Sequence, residues 1–123
     1  MTSFLAVVLL IDGVMAHAKP VEVWQCRDFV ASDWKSILVT ATVDSGREYG
    51  KIAAAGVTQA AVFHVEGFNR RWDFGVQSNG SYRYSFIIQP NGDAAYYDFG
   101  EGGTGRPSNM MKCRQVDATA APN

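Results

Sequence analysis

Four side chains with catalytic or metal-binding potential fall on one predicted row across the sheet: His64, Asp73, Ser85 and Asp98. Ser, His and Asp form a hydrolytic triad only when the nucleophile and its base lie within hydrogen-bond reach. Neighbouring strands are about 4.8 Å apart, so Ser85, two strands from His64, lies roughly 9–10 Å away with Asp73 between them. Because this order disfavours a triad, we predict no catalytic residue and keep a hydrolase as the least favoured hypothesis.

The same row supplies candidate cation ligands, namely His64, Asp73 and Asp98, since carboxylates beside an imidazole bind divalent metals. These residues lie on a flat outer face with no loop to complete a coordination shell. Cross-strand pairs, His64 with Asp73 and Glu66 with Arg71, explain the residues equally well. We therefore expect neither a bound metal nor another cofactor.

The elements that position these residues are short strands. Period-two alternation recurs between Gly and Asn turns after residue 20, and helical periodicity is almost absent. The pattern predicts an all-β protein, an eight-stranded antiparallel meander closing into a small barrel, with a two-sheet β-sandwich as the alternative. The predicted strands are Val21–Cys26, Ser36–Val43, Glu48–Ala55, Gln59–Glu66, Arg71–Gln77, Ser81–Gln89, Ala94–Phe99 and Asn109–Val116.

Turn residues predict the register of the strands. Four turns were assigned: four-residue loops at Asp44–Arg47 and Gly67–Arg70, a three-residue loop at Ser78–Gly80 and a two-residue loop at Asn91-Gly92. These turns pair Ala41 with Gly50, Phe63 with Phe74, Trp72 with Phe86 and Phe86 with Tyr97, and all four place apolar residues on one shared face. Small residues on strands two to four oppose large ones on strands five to seven, which predicts a filled interior. The predicted inner residues are Ala41, Gly50, Ala54, Ala61, Trp72, Phe74, Tyr84, Phe86, Tyr97 and Phe99.

The first 18 residues have the pattern of a signal peptide: an apolar run, Phe4–Leu10, followed by Ala16-His17-Ala18. An unprocessed anchor or a buried first strand is the alternative, but the run is too short to span a membrane. Cleavage after Ala18 removes Asp12 and no Lys or Arg, so the 12 acidic residues become 11 and match the 11 basic ones. This balance disfavours nucleic acid as a partner. We predict a periplasmic or extracellular protein with no membrane span in the mature chain.

Two cysteines, Cys26 and Cys113, lie near the two ends of the mature chain. In an oxidising compartment they predict a disulfide, and closing the barrel would bring them together. A metal site is the rival interpretation, but neither a CxxC pattern nor a nearby His supports it. The predicted organisation is a signal peptide (1–18), one barrel domain (19–116) and a disordered tail (117–123).

Three connections are candidate contact segments: Arg27–Lys35, Asp44–Arg47 and Gly100–Ser108. The first is rich in aromatic residues, which often anchor interfaces but equally cap small barrels. The last is rich in glycine without the Gly-Lys-Ser/Thr ending of a P-loop, so a mobile connection is the alternative. The predicted binding residues are Phe29, Trp34, Ser45, Arg47, Tyr49 and Arg106.

The stretch Ser45-Gly46-Arg47-Glu48-Tyr49 resembles the Ser-Gly-x-x-Tyr stretch of the membrane-bound and periplasmic inhibitors of C-type lysozyme, which are small exported β-barrels. The Lys-Gly element of that family is missing, and more chain precedes the last cysteine. The resemblance implies only that a packed exported barrel can act by placing loops in a partner's cleft. We expect a non-catalytic binding module for another protein, an inhibitor or an accessory subunit of an envelope complex. The alternative is a lipocalin-like carrier of a small ligand.

Overall fold

A computed structural model describes residues 19–100 and 105–120. The predicted signal peptide lies outside the described residues. A short 3-10 turn, Ala118–Ala120, lies within the segment predicted as a disordered tail and contacts the first strand. The strands are β1 (Pro20–Asp28), β2 (Val39–Asp44), β3 (Tyr49–Ala54), β4 (Val57–Glu66), β5 (Asn69–Val76), β6 (Tyr82–Ile88), β7 (Asp93–Asp98) and β8 (Asn109–Val116).

The eight strands form a closed antiparallel barrel, which confirms the predicted fold class over the sandwich alternative. Each strand pairs with the next one in the chain, and β8 pairs with β1. Cys26 and Cys113 are direct partners across the closing pair and form a disulfide, as predicted. The covalent bond therefore lies at the seam where the first and last strands meet.

Alternating strand directions divide the connections between two ends of the barrel. One end carries the connections 29–38, 55–56, 77–81 and 99–108, and we call it the loop end. The other carries the connections 45–48, 67–68 and 89–92, and we call it the plugged end, because the buried side chain of Glu22 lies there. Cys26 lies near the loop end of β1, whereas Cys113 lies near the middle of β8.

Apolar side chains fill the barrel interior. One cluster of contacting buried side chains takes members from all eight strands. Trp72 is fully buried near its centre, with ring centroids of Phe63 at 5.1 Å and Phe86 at 6.0 Å. This arrangement agrees with the packed interior predicted from large residues opposing small ones.

Gly50 makes room for the largest of these side chains. The indole of Trp72 reaches across the barrel, where its Nε1 donates to the carbonyl oxygen of Thr42 at 2.8 Å. A Cβ added at Gly50 would lie 1.9 Å from that carbonyl oxygen and 2.9 Å from Nε1. The indole N–H is therefore satisfied inside the core only because residue 50 has no side chain.

The predicted turns were correct in kind but not all in length. The loop at Ser78–Gly80 is confirmed, with Trp72 opposite Phe86. The turn after β2 keeps its four residues but lies one residue later than predicted, and the turn after β4 is two residues shorter. Each change shifts the register by two, so Ala41 faces Ile52 rather than Gly50, and Phe63 faces Trp72 rather than Phe74. A shift of two keeps every side chain on its predicted face, because strand side chains alternate.

The predicted length of the turn before β7 was wrong by one residue, and this error exchanges the inner and outer faces of that strand. Its loop has three residues, and Phe86 faces Tyr96 instead of Tyr97. Tyr96 therefore packs against the core. Tyr97 and Phe99, which were predicted to face inward, stack on each other with ring centroids 5.7 Å apart.

Candidate functional site

Asp73 is the centre of the polar cluster on the outer wall. Its Oδ2 lies 3.0 Å from Nε2 of His64, and its Oδ1 accepts from Arg71 Nε at 2.9 Å and from Ser85 Oγ at 2.5 Å. Arg71 also contacts Glu66 at 3.3 Å, so both predicted contacts are present, although the register places His64 opposite Arg71 and Glu66 opposite Asn69. Burial alone would raise the pKa of Asp73, but hydrogen bonds from Ser85, Arg71 and His64 together lower it below its ordinary value.

This geometry joins three residues of the predicted row and leaves out the fourth. Ser85 is buried and donates to Asp73, not to His64, which differs from the order that activates a nucleophile. Asp98 instead contacts Arg83, at 3.0 Å. Among the residues that the structure describes, no three His, Cys, Asp or Glu side chains are grouped to hold a metal ion.

The structure separates the predicted binding residues between the two ends of the barrel. Phe29, Trp34 and Arg106 belong to connections at the loop end, whereas Ser45 and Arg47 lie in the connection at the plugged end, next to Tyr49. The three predicted contact segments therefore do not form one continuous surface. Only the first and last of them share an end.

The β1–β2 connection at the loop end is organised by Arg27. Its Nη1 donates to the carbonyl oxygens of Asp28, Phe29 and Ala31, and its guanidinium stacks on the ring of Trp34, with Cζ 4.7 Å from the centroid. The amide of Val30 adds a bond to the Asp28 carboxylate at 3.2 Å. Arg27 thus fixes the start of the connection against the barrel wall.

Two large apolar side chains stay exposed at the start of this connection. Phe29 is 47% exposed and Val30 86% exposed. Trp34 is half-buried and also contacts Arg114 of β8, whose Cζ lies 4.4 Å from its ring centroid. Trp34 was predicted as a contact residue or a cap of the barrel, and its place is against the arginines of the outer wall. Phe29 and Val30 are the side chains presented to solvent.

The plugged end is closed by a charged group inside the barrel. Glu22 is only 5% exposed, and Arg70 reaches it from β5 on the opposite wall, with Nε 2.6 Å from its Oε1. Arg47 contacts Oε2 at 2.9 Å, and the Trp24 indole donates to Oε1 at 3.0 Å. Burial alone would raise the pKa of Glu22, but the bonds from Arg70, Trp24 and Arg47 lower it to about 2.

The sequence pattern did not predict this group, since neither Glu22 nor Arg70 was among the predicted inner residues. Arg70 was assigned to a four-residue turn, whereas the actual turn is Gly67-Phe68 and Arg70 is in strand β5. Arg70, Trp72 and Phe74 occupy every second position of β5, so the side chain of Arg70 lies on the same inner face as the two buried rings. A two-residue turn beginning with glycine is a common hairpin signal, and using it here would have placed Arg70 on the inner face.

The fold and these contacts define a class: a disulfide-closed, eight-stranded antiparallel barrel with a filled interior and an organised loop at one end. Comparisons with protein-family models, curated proteins and solved structures found no match. The likeness to the lysozyme inhibitors therefore stays a resemblance over five residues. Within the described part of the chain, no helix is long and apolar enough to cross a membrane.

Proposed function

We propose that this protein is an exported, non-catalytic binding module that docks on another protein through its loop end. The observation that carries the proposal is the exposure of Phe29 and Val30 on a segment that Arg27 holds in place. An apolar group presented on a fixed backbone loses little conformational entropy on binding, which favours an interface anchor. Export is supported by the disulfide, which persists in oxidising compartments.

The other features of the molecule fit this role better than the alternatives. The packed interior favours a binder that acts through its surface over a carrier of a small ligand. Asp73 accepts hydrogen bonds from Arg71 and Ser85 and lies 3.0 Å from His64 Nε2, an arrangement that favours a structural network over a catalytic one. An inhibitor and an accessory subunit would both use such a loop end.

Site-specific photo-cross-linking tests the proposal, and the chain offers a matched control. Val30 at the loop end and Phe68 at the plugged end are both 86% exposed. A photoreactive amino acid would replace each in turn, in protein expressed with its own N-terminus in the organism that encodes it. We expect one discrete protein adduct from position 30 and none from position 68. The intact mass of the recovered protein shows whether it begins at Lys19, as the predicted cleavage requires.

Two substitutions test whether cross-linking at position 30 depends on the β1–β2 connection. Phe29→Ser removes an exposed apolar group, and Trp34→Ala removes the ring on which two arginines stack. Each variant should fold and should lose most of the adduct formed at position 30. No adduct at position 30, or equal adducts from both ends, would overturn the proposal.

A further inference from the structure

Six of the seven arginines divide into two groups according to their partners. Arg47, Arg70, Arg71 and Arg83 each lie within 3.0 Å of a carboxylate oxygen. Arg27 and Arg114 contact no carboxylate within residues 19–100 and 105–120, and both stack on Trp34. Two guanidiniums at one place therefore lack a contacting carboxylate within the described residues.

Stacking on an indole orients a guanidinium without using its donors. The N–H groups of arginine point outward in the plane of the guanidinium, so a ring against its face leaves them available. Arg114 donates one bond to Gln25 Oε1 at 3.2 Å, and its side chain is exposed. Arg27 is committed to the loop carbonyls. Of the two, Arg114 is the one that presents donors to a ligand.

Nearby acidic groups are already engaged with the backbone. Asp28 accepts from the amide of Val30, and Asp33 accepts from the amide of Lys35 at 3.1 Å. Lys112, the register partner of Arg27, has Asp93 at 2.6 Å as its own counter-charge. Arg27, Trp34 and Arg114 form what we call the Trp34 cluster, and within the described residues no carboxylate contacts its two guanidiniums.

We infer that Arg27, Trp34 and Arg114 form a carboxylate-binding site for an acidic segment of the partner protein. A planar carboxylate matches the paired donors of an arginine. Phe29 and Val30, held by the same Arg27, would receive an apolar side chain beside that carboxylate. Arginine and aromatic residues together are the usual composition of an interface hot spot. The inference rests on the proposed function and adds the chemistry of the partner.

A selection from a random-peptide phage library on the full mature chain tests this inference. We expect enriched peptides to carry Asp or Glu, or a terminal carboxylate, beside an apolar residue. Arg114→Glu should weaken binding of a synthetic copy of an enriched peptide by about 10- to 100-fold, since one interfacial charge pair carries such an effect. Arg114→Lys should lose less than Arg114→Glu.

Lys51→Glu is the matched control, because it makes the same change of charge at an exposed position on β3. It should leave peptide affinity unchanged, and unfolding curves should show that all three variants fold. Enrichment without acidic residues, no enrichment, or affinity that survives Arg114→Glu would overturn the inference. So would Arg114-dependent binding to phosphatidylserine vesicles that acidic peptides do not displace, because the ligand would then be a lipid surface.

The two proposals fail in different ways. If Val30 forms no protein adduct, the proposed function fails. If it forms an adduct that persists in Arg114→Glu, the docking surface stands and the carboxylate site does not.

Discussion

At the plugged end, the carboxylate of Glu22 meets two guanidiniums and an indole inside the barrel, whereas at the loop end two guanidiniums meet one indole and no described carboxylate. Both groups combine arginine with tryptophan, and Arg70 even lies over Trp24, with Cζ 5.2 Å from the ring centroid. The difference is the buried acid. Where a carboxylate is present, the arginines form ion pairs with it. Where none is present, the arginines stack on the indole and have no contacting carboxylate among the described residues.

The two ends are also fastened by different means. Cys26 and Cys113 immediately precede Arg27 and Arg114 in their strands, so the disulfide holds the base of the Trp34 cluster. Among the described residues, the plugged end has no disulfide of its own and is held by the ion pair between Arg70 and Glu22, which spans the barrel. This contrast predicts that the ends respond to different perturbations.

Removing the disulfide should have the largest effect. Replacing both cysteines, Cys26→Ala with Cys113→Ala, should lower the free energy of unfolding by about 4 kcal/mol, because the bridge closes almost the whole barrel sequence. Urea unfolding followed by tryptophan fluorescence measures the loss. Hydrogen exchange should show the lost protection first at Arg27 and Arg114, which follow the two cysteines in β1 and β8. Equal loss at both ends would mean that the disulfide does not distinguish them.

Removing the buried acid should rank next and should act on the plugged end. Glu22→Gln leaves Arg70 and Arg47 facing a neutral side chain, and we expect a loss of about 3 kcal/mol. Glu66→Gln is the matched control, because Glu66 is exposed and pairs with a single arginine. The control should lose less than about 1 kcal/mol. Similar losses in both variants would show that the buried ion pair of Glu22 contributes no more to stability than an exposed ion pair.

The same pair of variants has a distinct pH dependence. The pKa of Glu22 is about 2 in the folded protein, below its ordinary value of 4.5, so its stabilising contribution is complete above about pH 4.5. That contribution disappears as the pH falls toward 2, and it amounts to about 3 kcal/mol. Urea midpoints measured across this range should fall steeply in the wild type and in Glu66→Gln, and less steeply in Glu22→Gln.

Much of the fold could be predicted because turn residues, alternation and two cysteines are local signals. The barrel, its disulfide and the small residues opposite Trp72 followed from them. The plugged end did not, since alternation assigns charged residues to the outer face, and only the exact turn length placed Arg70 inside. The Trp34 cluster also escaped prediction, because stacking between a loop and two strands leaves no periodic pattern in the sequence.

The misplaced face of β7 had a signal that was available. Gln77-Ser78-Asn79-Gly80 and Gln89-Pro90-Asn91-Gly92 share the pattern Gln-x-Asn-Gly, and both form three-residue loops. In each loop, the backbone N–H of Gln donates to the carbonyl oxygen of the residue after Gly. The backbone N–H of that residue donates in turn to the side-chain oxygen of Asn at 3.0 Å. Applying the first loop's length to the second would have placed Tyr96 inside.

These two loops lie at opposite ends and give the finest test of the comparison. Gly80 at the loop end has φ +84° and nothing within 4 Å of an added Cβ, so Gly80→Ala should cost only backbone strain, about 1 kcal/mol. Gly92 at the plugged end has φ +91°, and a Cβ there would lie 2.6 Å from the carbonyl oxygen of Cys113. Overpacking adds to the strain, so Gly92→Ala should cost about 3 kcal/mol.

Urea unfolding of the two alanine variants measures the difference directly, because the substitution and the loop type are the same. Cys113 also donates its amide to the carbonyl oxygen of Gly92 at 2.7 Å, so the turn cannot move away without breaking a bond to β8. A larger loss at Gly92 would show that the plugged end is closed by its backbone as well as by its charges. Equal losses would restrict the difference between the ends to Glu22 and the Trp34 cluster.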